Sequence, residues 1–366
     1  MYALKTLTDQ PFRFIITACG VALCVVLILF LLGIYKGVSV GSVEYVRSSD
    51  ADLWVLQRHA TNILRCTSIL TPEHSTTLKE TPGVKFVSPV LFILASVKLP
   101  EGPATLYLTG YDPKTGHGGP PEISKGRNIN KSGEIVLDRS FASKHHINIG
   151  DPLQVKNDTL VVTGFSKGTN MFVIQYAFIT LADAHRIIGL AGIVTCYLVK
   201  VIPDAHLRHI SSEIEAGLPD VVVFDRKKFL ENNIHEMESG ILPLLFVVAV
   251  IGSVVLMAIL SLILSINVLE RRKDFAIMKA LGSPGGFIPR LVVIQAMILS
   301  GSGLVVGIAL FFPLMGVVER LSPEVSVLTS PFQILAVILS VTVISLISSI
   351  FPNQKLRKIY PLEAFK

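Results

Sequence analysis

The chain has 366 residues, of which 51% are hydrophobic and only 16% are charged, and its mean hydropathy is +0.60. Soluble domains carry roughly 25% charged residues, so this composition excludes an ordinary soluble domain and indicates a membrane protein. The net charge of +6 does not indicate nucleic-acid binding, because the basic residues flank apolar runs instead of forming one basic surface.

Four apolar runs are each long enough to cross a bilayer, which takes about 20 residues in a helix. They contain no Asp, Glu, Lys or Arg, and one Arg or Lys at a helix centre costs roughly 2.5–3.5 kcal/mol on insertion. The sequence therefore predicts four transmembrane helices, over residues 14–35, 241–269, 291–318 and 331–352.

The first run is interpreted as an uncleaved anchor in the cell (inner) membrane, because it exceeds a signal-peptide core and no cleavage pattern follows it. Lys5 and Arg13 precede it, and basic flanks stay in the cytoplasm, so both termini of this multi-pass protein are expected there. Residues 1–13 predict a short interfacial helix, the alternative being a frayed terminus. Residues 319–330 are then a short external loop and residues 353–366 a cytoplasmic tail.

Residues 36–240 are left as an extracytoplasmic (periplasmic) domain of mixed α+β class. Strand, helix and strand signals follow one another near residues 52–90, where Thr71 and Pro72 start the helix. The same order recurs near residues 195–225, where Asp204 is expected to cap the helix. Two β-α-β halves in one sheet make a ferredoxin-like plan, here with a β-rich insert over residues 90–180.

Turn signals divide this insert further. Residues 91–99 and 104–111 predict a hairpin, and residues 116–133 predict a loop by their Gly, Pro, Asn and Lys content. Asp138 and Thr180 are placed to cap short helices, and Asn157-Asp158 is a hairpin signal.

No catalytic or nucleotide-binding motif is found, so the chain is predicted to be a non-catalytic subunit without a cofactor. The segment 164–170, GFSKGTN, resembles a phosphate loop only loosely and lacks the Gly-Lys-Ser/Thr ending. Neither C-x-x-C nor H-E-x-x-H occurs, so no metal site is predicted. Cys66 and Cys196 both lie in the extracytoplasmic domain, where a disulfide is permitted, and the sequence leaves open whether they meet. Gly303 and Gly307 predict close helix packing.

The loop over residues 270–290 is the densely charged segment between two uncharged runs, and its five basic residues place it in the cytoplasm. Its charges come first and apolar residues follow, with Phe275 and Met278 on one helical face and Ile277 and Leu281 on another. Gly282 is expected to end the helix. Apolar side chains exposed on a cytoplasmic helix predict docking of a partner protein, the alternative being a plain connector.

The segment from Glu270 to Gly282, ERRKDFAIMKALG, resembles the signature of the permease subunits of MacB/FtsX/LolC-type ABC transporters, approximately E-R-R-x-E-[IF]-[GA]-x-[LM]-[RK]-A-[LI]-G. Asp274 stands where that family usually has Glu. Pro361 and Ala364 are similar to its terminal P-x-x-A-[LF]-[RK] motif, and the layout of one span, a large outside domain and three spans matches the whole chain. The DevC-like members, which have a separate ATPase and a periplasmic adaptor, are the most similar.

The resemblance implies a mechanotransmission permease that drives export or extraction of an envelope substrate. Two permease copies would pair as a homodimer through their first and second spans, and ATP would be bound by separate ATPase subunits docked on the loop helices. Phe275, Met278 and Leu281 would fill the ATPase groove. Glu270, Arg271, Arg272, Asp274 and Lys279 would form ion pairs around it. The alternatives are an FtsX-type relay that activates an extracytoplasmic enzyme and a membrane-anchored enzyme.

Overall fold

The structure, a computed structural model, describes residues 11–41, 43–63, 67–171, 174–203, 205–240, 242–284, 286–325 and 327–357, without the side chains of residues 13, 237, 238, 242 and 355–357. The described residues divide into two units. The membrane unit comprises the described parts of residues 1–36, 242–318 and 327–366. The extracytoplasmic unit comprises those of residues 37–241 and 319–326.

In chain order, the helices are α1 (Pro11–Gly41), α2 (Glu44–Ser48), α3 (Pro72–Glu80), α4 (Arg139–Lys144), α5 (Leu181–Ile188), α6 (Leu207–Gly217), α7 (Arg226–Ser239), α8 (Leu242–Glu270), α9 (Arg272–Ala280), α10 (Phe287–Leu321), α11 (Pro331–Ser348) and α12 (Ile350–Arg357). The strands are β1 (Leu53–Gln57), β2 (Val84–Leu99), β3 (Gly102–Tyr111), β4 (Glu122–Gly126), β5 (Glu134–Asp138), β6 (Pro152–Val155), β7 (Asp158–Lys167), β8 (Gln175–Thr180), β9 (Cys196–Val201) and β10 (Val221–Asp225).

Helices of sufficient length and apolarity to cross a membrane occur at all four predicted spans. Their spanning segments are Phe14–Gly41, Pro243–Glu270, Phe287–Leu321 and Pro331–Gln354. The first and third helices continue beyond the predicted apolar runs, because polar residues at a helix end reach water without interrupting the backbone hydrogen bonds. Pro11 is the first described residue of α1, and proline is tolerated in the first turn of a helix because no intrahelical N–H bond is needed there. The remainder of the predicted interfacial helix lies outside the described residues.

Close packing of α10 on α1 confirms the role predicted for the paired glycines. A Cβ atom at Gly303 would lie 2.5 Å from the Cβ of Val21 and 2.9 Å from the carbonyl oxygen of Ala18. One at Gly307 would lie 2.9 Å from the Cβ of Val25. The two helices therefore approach so closely that only glycine fits at these positions.

In the extracytoplasmic unit, the outer halves of the domain form the predicted ferredoxin-like sheet. Its strands run in the order β10-β1-β9-β2, and every neighbouring pair is antiparallel. Side chains alternate along β1, so that Leu53 and Val55 pack with the α3 and α6 layer, which contributes Leu78 and Ile210. Trp54 faces the opposite side, where α2 and α7 lie.

The insert between the halves is β-rich, with a sheet that continues through β2, β3, β8, β5, β7 and β4, while β6 pairs with β2 and β7. The prediction of a loop over residues 116–133 is wrong in part, because strand β4 lies within this segment and pairs with β7. Four of the five β4 residues are exposed, so this edge strand has no buried alternation for a sequence pattern to detect.

Two of the predicted caps are present at atomic detail. The Asp138 carboxylate accepts hydrogen bonds from the backbone N–H groups of Ser140 and Phe141, and the Thr180 hydroxyl accepts one from Asp183. The hairpin turn is shifted by one residue, since Val155 pairs with Asp158 and leaves Lys156 and Asn157 in the turn. Asp204, the predicted cap of α6, lies outside the described residues.

Candidate functional site

The loop helix α9 has sharp ends on both sides. At its start the chain bends at Arg271, whose carbonyl oxygen accepts a hydrogen bond from the Phe275 N–H at 3.1 Å. At its end the N–H of Gly282 donates to the oxygen of Lys279 and the N–H of Ser283 donates to that of Met278, each at 3.1 Å. This pair of bonds is a Schellman motif, and the φ of +83° at Gly282 is the left-handed conformation that the motif requires. The predicted helix terminator is confirmed.

One face of α9 is packed inside the membrane unit. Phe275 is only 1% exposed and Ala276 is fully buried, in a cluster with Val268 of α8 and with Ile288 and Val292 of α10. Met278 packs partly buried against the same cluster. The expectation that Phe275 is exposed to a partner is therefore wrong. Its ring fastens α9 to the two flanking spans, and burial of such a ring stabilises by roughly 1.5–3 kcal/mol.

The opposite face of α9 presents apolar side chains to solvent. Ile277 is 46% exposed and Leu281 is 83% exposed, the highest value among the exposed large hydrophobic residues of the described chain. These two residues lie four apart, so they form one continuous surface on the helix. We call Ile277 and Leu281 the apolar tip.

Charged side chains surround the apolar tip. Glu270, Arg272 and Asp274 are exposed, and Arg271 and Lys279 are half-buried. Asp274 lies in the first turn of α9 and Lys279 in the last, which is the arrangement that the helix dipole favours. The C-terminal residues Pro361 and Ala364 lie outside the described residues.

A second group of residues, which sequence reasoning missed, lies within the extracytoplasmic unit. Tyr45 of α2 follows the first span, and Phe229 of α7 precedes the second. Phe229 stacks on Trp54 with ring centroids 4.7 Å apart, and Tyr45 stacks on Tyr176 at 5.1 Å. Tyr45 also meets Trp54 edge-on at 6.2 Å. We call these four residues the aromatic junction.

The aromatic junction is fully desolvated. Burial raises the pKa of the Tyr45 and Tyr176 hydroxyls well above their usual range, so both remain neutral. The Tyr45 hydroxyl donates to the carbonyl oxygen of Gly118 at 2.7 Å. Cys196 is a buried free thiol in the same cluster. Cys66, with which the sequence left a disulfide open, lies outside the described residues. The sequence gives one signal that could have pointed to this group, which is that Trp54 is its only tryptophan.

Among the described residues no group of three or more His, Cys, Asp and Glu side chains is placed to hold a metal ion. His145, of the adjacent histidine pair, is half-buried against Phe141 at a ring-centroid distance of 4.7 Å, and burial lowers its pKa. The packing of α4 on β5 and β7 accounts for this burial. The two candidate features of the described residues are therefore the apolar tip, which is a contact surface, and the aromatic junction, which is a packed cluster.

Two family models match the chain. Residues 14–216 match the MacB-like periplasmic core domain, and residues 246–361 match the FtsX-like permease C-terminal region. An uncharacterized ABC transporter permease of Mycobacterium tuberculosis (strain ATCC 25618 / H37Rv) is 23% identical over 374 residues, which covers 99% of this chain and 98% of the relative. Another from Methanocaldococcus jannaschii is 24% identical over 265 residues, covering 67% of this chain and 65% of the relative.

Solved structures are also similar to part of the chain. The periplasmic region of MacB from Actinobacillus actinomycetemcomitans aligns with a TM-score of 0.40 and 12% identity, over 51% of this chain and 94% of that one. The extracellular domain of the noncanonic ABC-type transporter YknZ from Gram-positive bacteria aligns with a TM-score of 0.38 and 11% identity, over 48% of this chain and 100% of that one. The match to the periplasmic-core model extends over more than half of the chain and confirms the predicted family. The chain is therefore a membrane-embedded ABC transporter permease of the MacB/FtsX family, a class of subunit that works with an ATPase.

Proposed function

We propose that this permease couples ATP hydrolysis by a separate ATPase subunit to movements of its extracytoplasmic domain, and that these movements drive export or extraction of an envelope substrate. The observation that carries the proposal is the two-sided loop helix α9. One face is locked to α8 and α10 through Phe275, and the other presents the apolar tip. A partner that binds the tip therefore pulls on two spans at once.

The apolar tip is the contact that we assign to the ATPase. Burying the Leu281 side chain in a groove contributes roughly 1.5–3 kcal/mol, which is tenfold or more in affinity. The surrounding Glu270, Arg272 and Asp274 add rim contacts worth about 0.2–1 kcal/mol each. Phe275 acts indirectly, by holding α9 rigid, and Met278 partly shares that role.

The aromatic junction supports the second half of the proposal. Tyr45 and Phe229 are on the segments that connect to the first and second spans, and both pack on Trp54 in β1. A displacement of either segment is passed to the sheet, because closely packed cores do not deform continuously. The loop is assigned to the cytoplasm by its basic residues, together with both termini.

The second span supports pairing with another copy of the permease. Only 22% of the most apolar stretch of the second span is buried inside the protein, whereas 50% of the corresponding stretch of the first span is buried. Its exposed apolar side chains, which include Phe246, Ile251 and Leu262, are available to lipid and to a second copy. A homodimer through the first and second spans is accordingly part of the proposal. A periplasmic adaptor is a further expected partner, by the resemblance to DevC-like permeases.

The second candidate is an FtsX-type relay that activates an extracytoplasmic enzyme through the same motions. The size of the extracytoplasmic unit, which comprises most of the 205 residues from 36 to 240, favours transport over a relay. Both candidates use α9 in the same way, so the docking test applies to each.

The docking test compares two exposed leucines. Leu281→Asp places a charge on the apolar tip, whereas Leu190→Asp makes the same change at a 57% exposed leucine of the extracytoplasmic unit. We expect Leu281→Asp to lower permease-stimulated ATP turnover of the reconstituted complex by tenfold or more. Leu190→Asp should leave it unchanged. Full turnover with Leu281→Asp would refute the docking assignment.

A further inference from the structure

A cleft of about 540 Å³ lies within the extracytoplasmic unit, apart from the apolar tip and the aromatic junction. Three separate segments of the chain line it: the start of α4, the end of β7 with the residues that follow it, and the end of α10 with the loop beyond. Each contributes one cation, namely Arg139, Lys167 and Arg320. Lys167 belongs to the segment GFSKGTN, to which the proposed function gives no role.

Two of the three cations have no direct partner among the described residues. Within the described part of the chain, the guanidinium groups of Arg139 and Arg320 make no hydrogen bond or ion pair. Lys167 has a single ion-pair partner, Glu122, at 4.0 Å, and both side chains are more than 60% exposed, so this pair is weak. Glu319 also lines the cleft and offsets one of the three positive charges.

The acidic group nearest the floor of the cleft is already occupied. Asp138 is only 2% exposed, and its carboxylate accepts hydrogen bonds from the Thr169 hydroxyl at 2.6 Å and from Ser140. The Ser166 hydroxyl is hydrogen-bonded to that of Thr169 at 2.7 Å. These bonds tie the loop after β7 to the start of α4 and occupy the Asp138 carboxylate within the wall. The charges of Asp138 and Glu319 offset two of the three cations, so the lining keeps a net positive charge.

The third wall is held in place as well. Glu324, in the loop after α10, forms an ion pair with Lys144 of α4, and its carbonyl oxygen accepts a hydrogen bond from the Asn170 amide at 2.9 Å. Arg320 precedes this fastened loop by a few residues. The cleft is thus a built feature, because side chains from all three segments fix its walls.

We propose that this cleft binds a phosphate group. Arginine forms paired charge-assisted hydrogen bonds with phosphate oxygens, and two arginines without partners that face one cavity supply them. Arg320 lies one residue before the end of α10, a spanning helix, so it is placed where the hydrocarbon core gives way to lipid headgroups. The bound phosphate group could belong to an anionic phospholipid headgroup or to a soluble phosphate ester, and the test distinguishes the two.

The test uses the full-length permease, purified in a neutral detergent. Native mass spectrometry measures adducts with added phosphatidylglycerol and with zwitterionic phosphatidylcholine, and the unfolding midpoint is measured with inorganic phosphate against chloride at matched ionic strength. The cleft variant is Arg139→Gln with Arg320→Gln. The control is Lys79→Gln with Arg208→Gln, which removes two exposed cations from α3 and α6.

We expect the wild type and the control to bind. The cleft variant should bind at least tenfold more weakly, since the loss of even one arginine–phosphate contact costs about that factor. Preferential phosphatidylglycerol adducts identify a lipid headgroup, and a midpoint raised by inorganic phosphate identifies a soluble source. The cleft variant should keep the wild-type midpoint in chloride, because both side chains are exposed; if it falls, Lys167→Gln replaces it. Equal binding by cleft variant and wild type, or no binding of either probe to the wild type, would overturn the proposal.

Discussion

Phe275 and Leu281 lie six residues apart in the loop helix, and their surroundings are opposite. Phe275 is 1% exposed and Leu281 is 83% exposed. Helical spacing separates the Phe275 face from the Ile277 and Leu281 face, but it does not say which face the protein covers. That choice is made by contacts with Val268 of α8 and with Ile288 and Val292 of α10, which lie outside the motif. The sequence could therefore predict a helix with two apolar faces, but not which of its faces is buried.

Alanine substitution separates these two roles. Phe275→Ala removes a buried ring from the cluster between α8 and α10, which costs about 3–5 kcal/mol. Leu281→Ala changes an exposed side chain, and its effect on stability should stay within about 0.5 kcal/mol. The measurement is the thermal unfolding midpoint of the purified full-length permease. Equal midpoints for the two variants would show that Phe275 is not a packing residue.

Glu134 gives a prediction about pH. Its carboxylate pairs with the Arg127 guanidinium at 2.6 Å, and this hydrogen bond lowers the pKa of Glu134 from 4.5 to about 2. A lowered pKa in the folded state contributes stability that is present above pH 4.5 and is lost as the pH falls towards 2. Because Arg127 is half exposed, we expect a contribution on the order of 2 kcal/mol.

The pH profile of the unfolding midpoint checks this expectation. Wild type should lose stability across that window more steeply than Glu134→Gln, while Glu80→Gln, at an exposed position of α3, should follow the wild type. Parallel profiles for wild type and Glu134→Gln would contradict the assignment.

At the scale of elements, the sequence predicted what depends on local pattern. Charge-free apolar runs identified the spans, and the repeated strand, helix and strand signals identified the ferredoxin-like halves, whose strand order the structure confirms. The exposed strand β4 has no pattern of buried residues and was predicted as a loop. It exists because β7 supplies its hydrogen bonds. Pairing of this kind depends on tertiary structure and cannot be read from the strand's own residues.

The packing of α10 on α1 gives a prediction in which two glycines of one helix behave oppositely. A Cβ atom at Gly303 would lie 2.5 Å from Val21, whereas one at Gly301 would have nothing within 4 Å. Gly303→Ala should therefore lower the unfolding midpoint, since overpacking costs about 1–3 kcal/mol. Gly301→Ala should raise it slightly, by up to about 1 kcal/mol of helix propensity. The same sign of change for both variants would mean that α10 does not approach α1 at Gly303.

For the whole molecule, the proposed mechanism links two contact regions, one on the loop helix and one in the extracytoplasmic unit. In that mechanism the apolar tip of α9 would receive the ATPase and Phe275 would pass its motion to α8 and α10. The aromatic junction, in which Tyr45 and Phe229 pack on Trp54 of the extracytoplasmic sheet, would carry the motion further. No substrate tunnel is required in this mechanism. Which envelope substrate is moved depends on the extracytoplasmic surface and on partner proteins, neither of which is encoded in the family motif.

Hydrogen exchange of the reconstituted permease–ATPase complex tests this transmission most directly. In the wild-type complex, trapping the ATPase with ATP and vanadate should change hydrogen exchange at residues 44–57 and 226–239. These two segments contain most of the aromatic junction. The same trapping in a Leu281→Asp complex, held together at high protein concentration, should leave these segments unchanged. An equal change in both complexes, or none in the wild type, would contradict the proposed coupling.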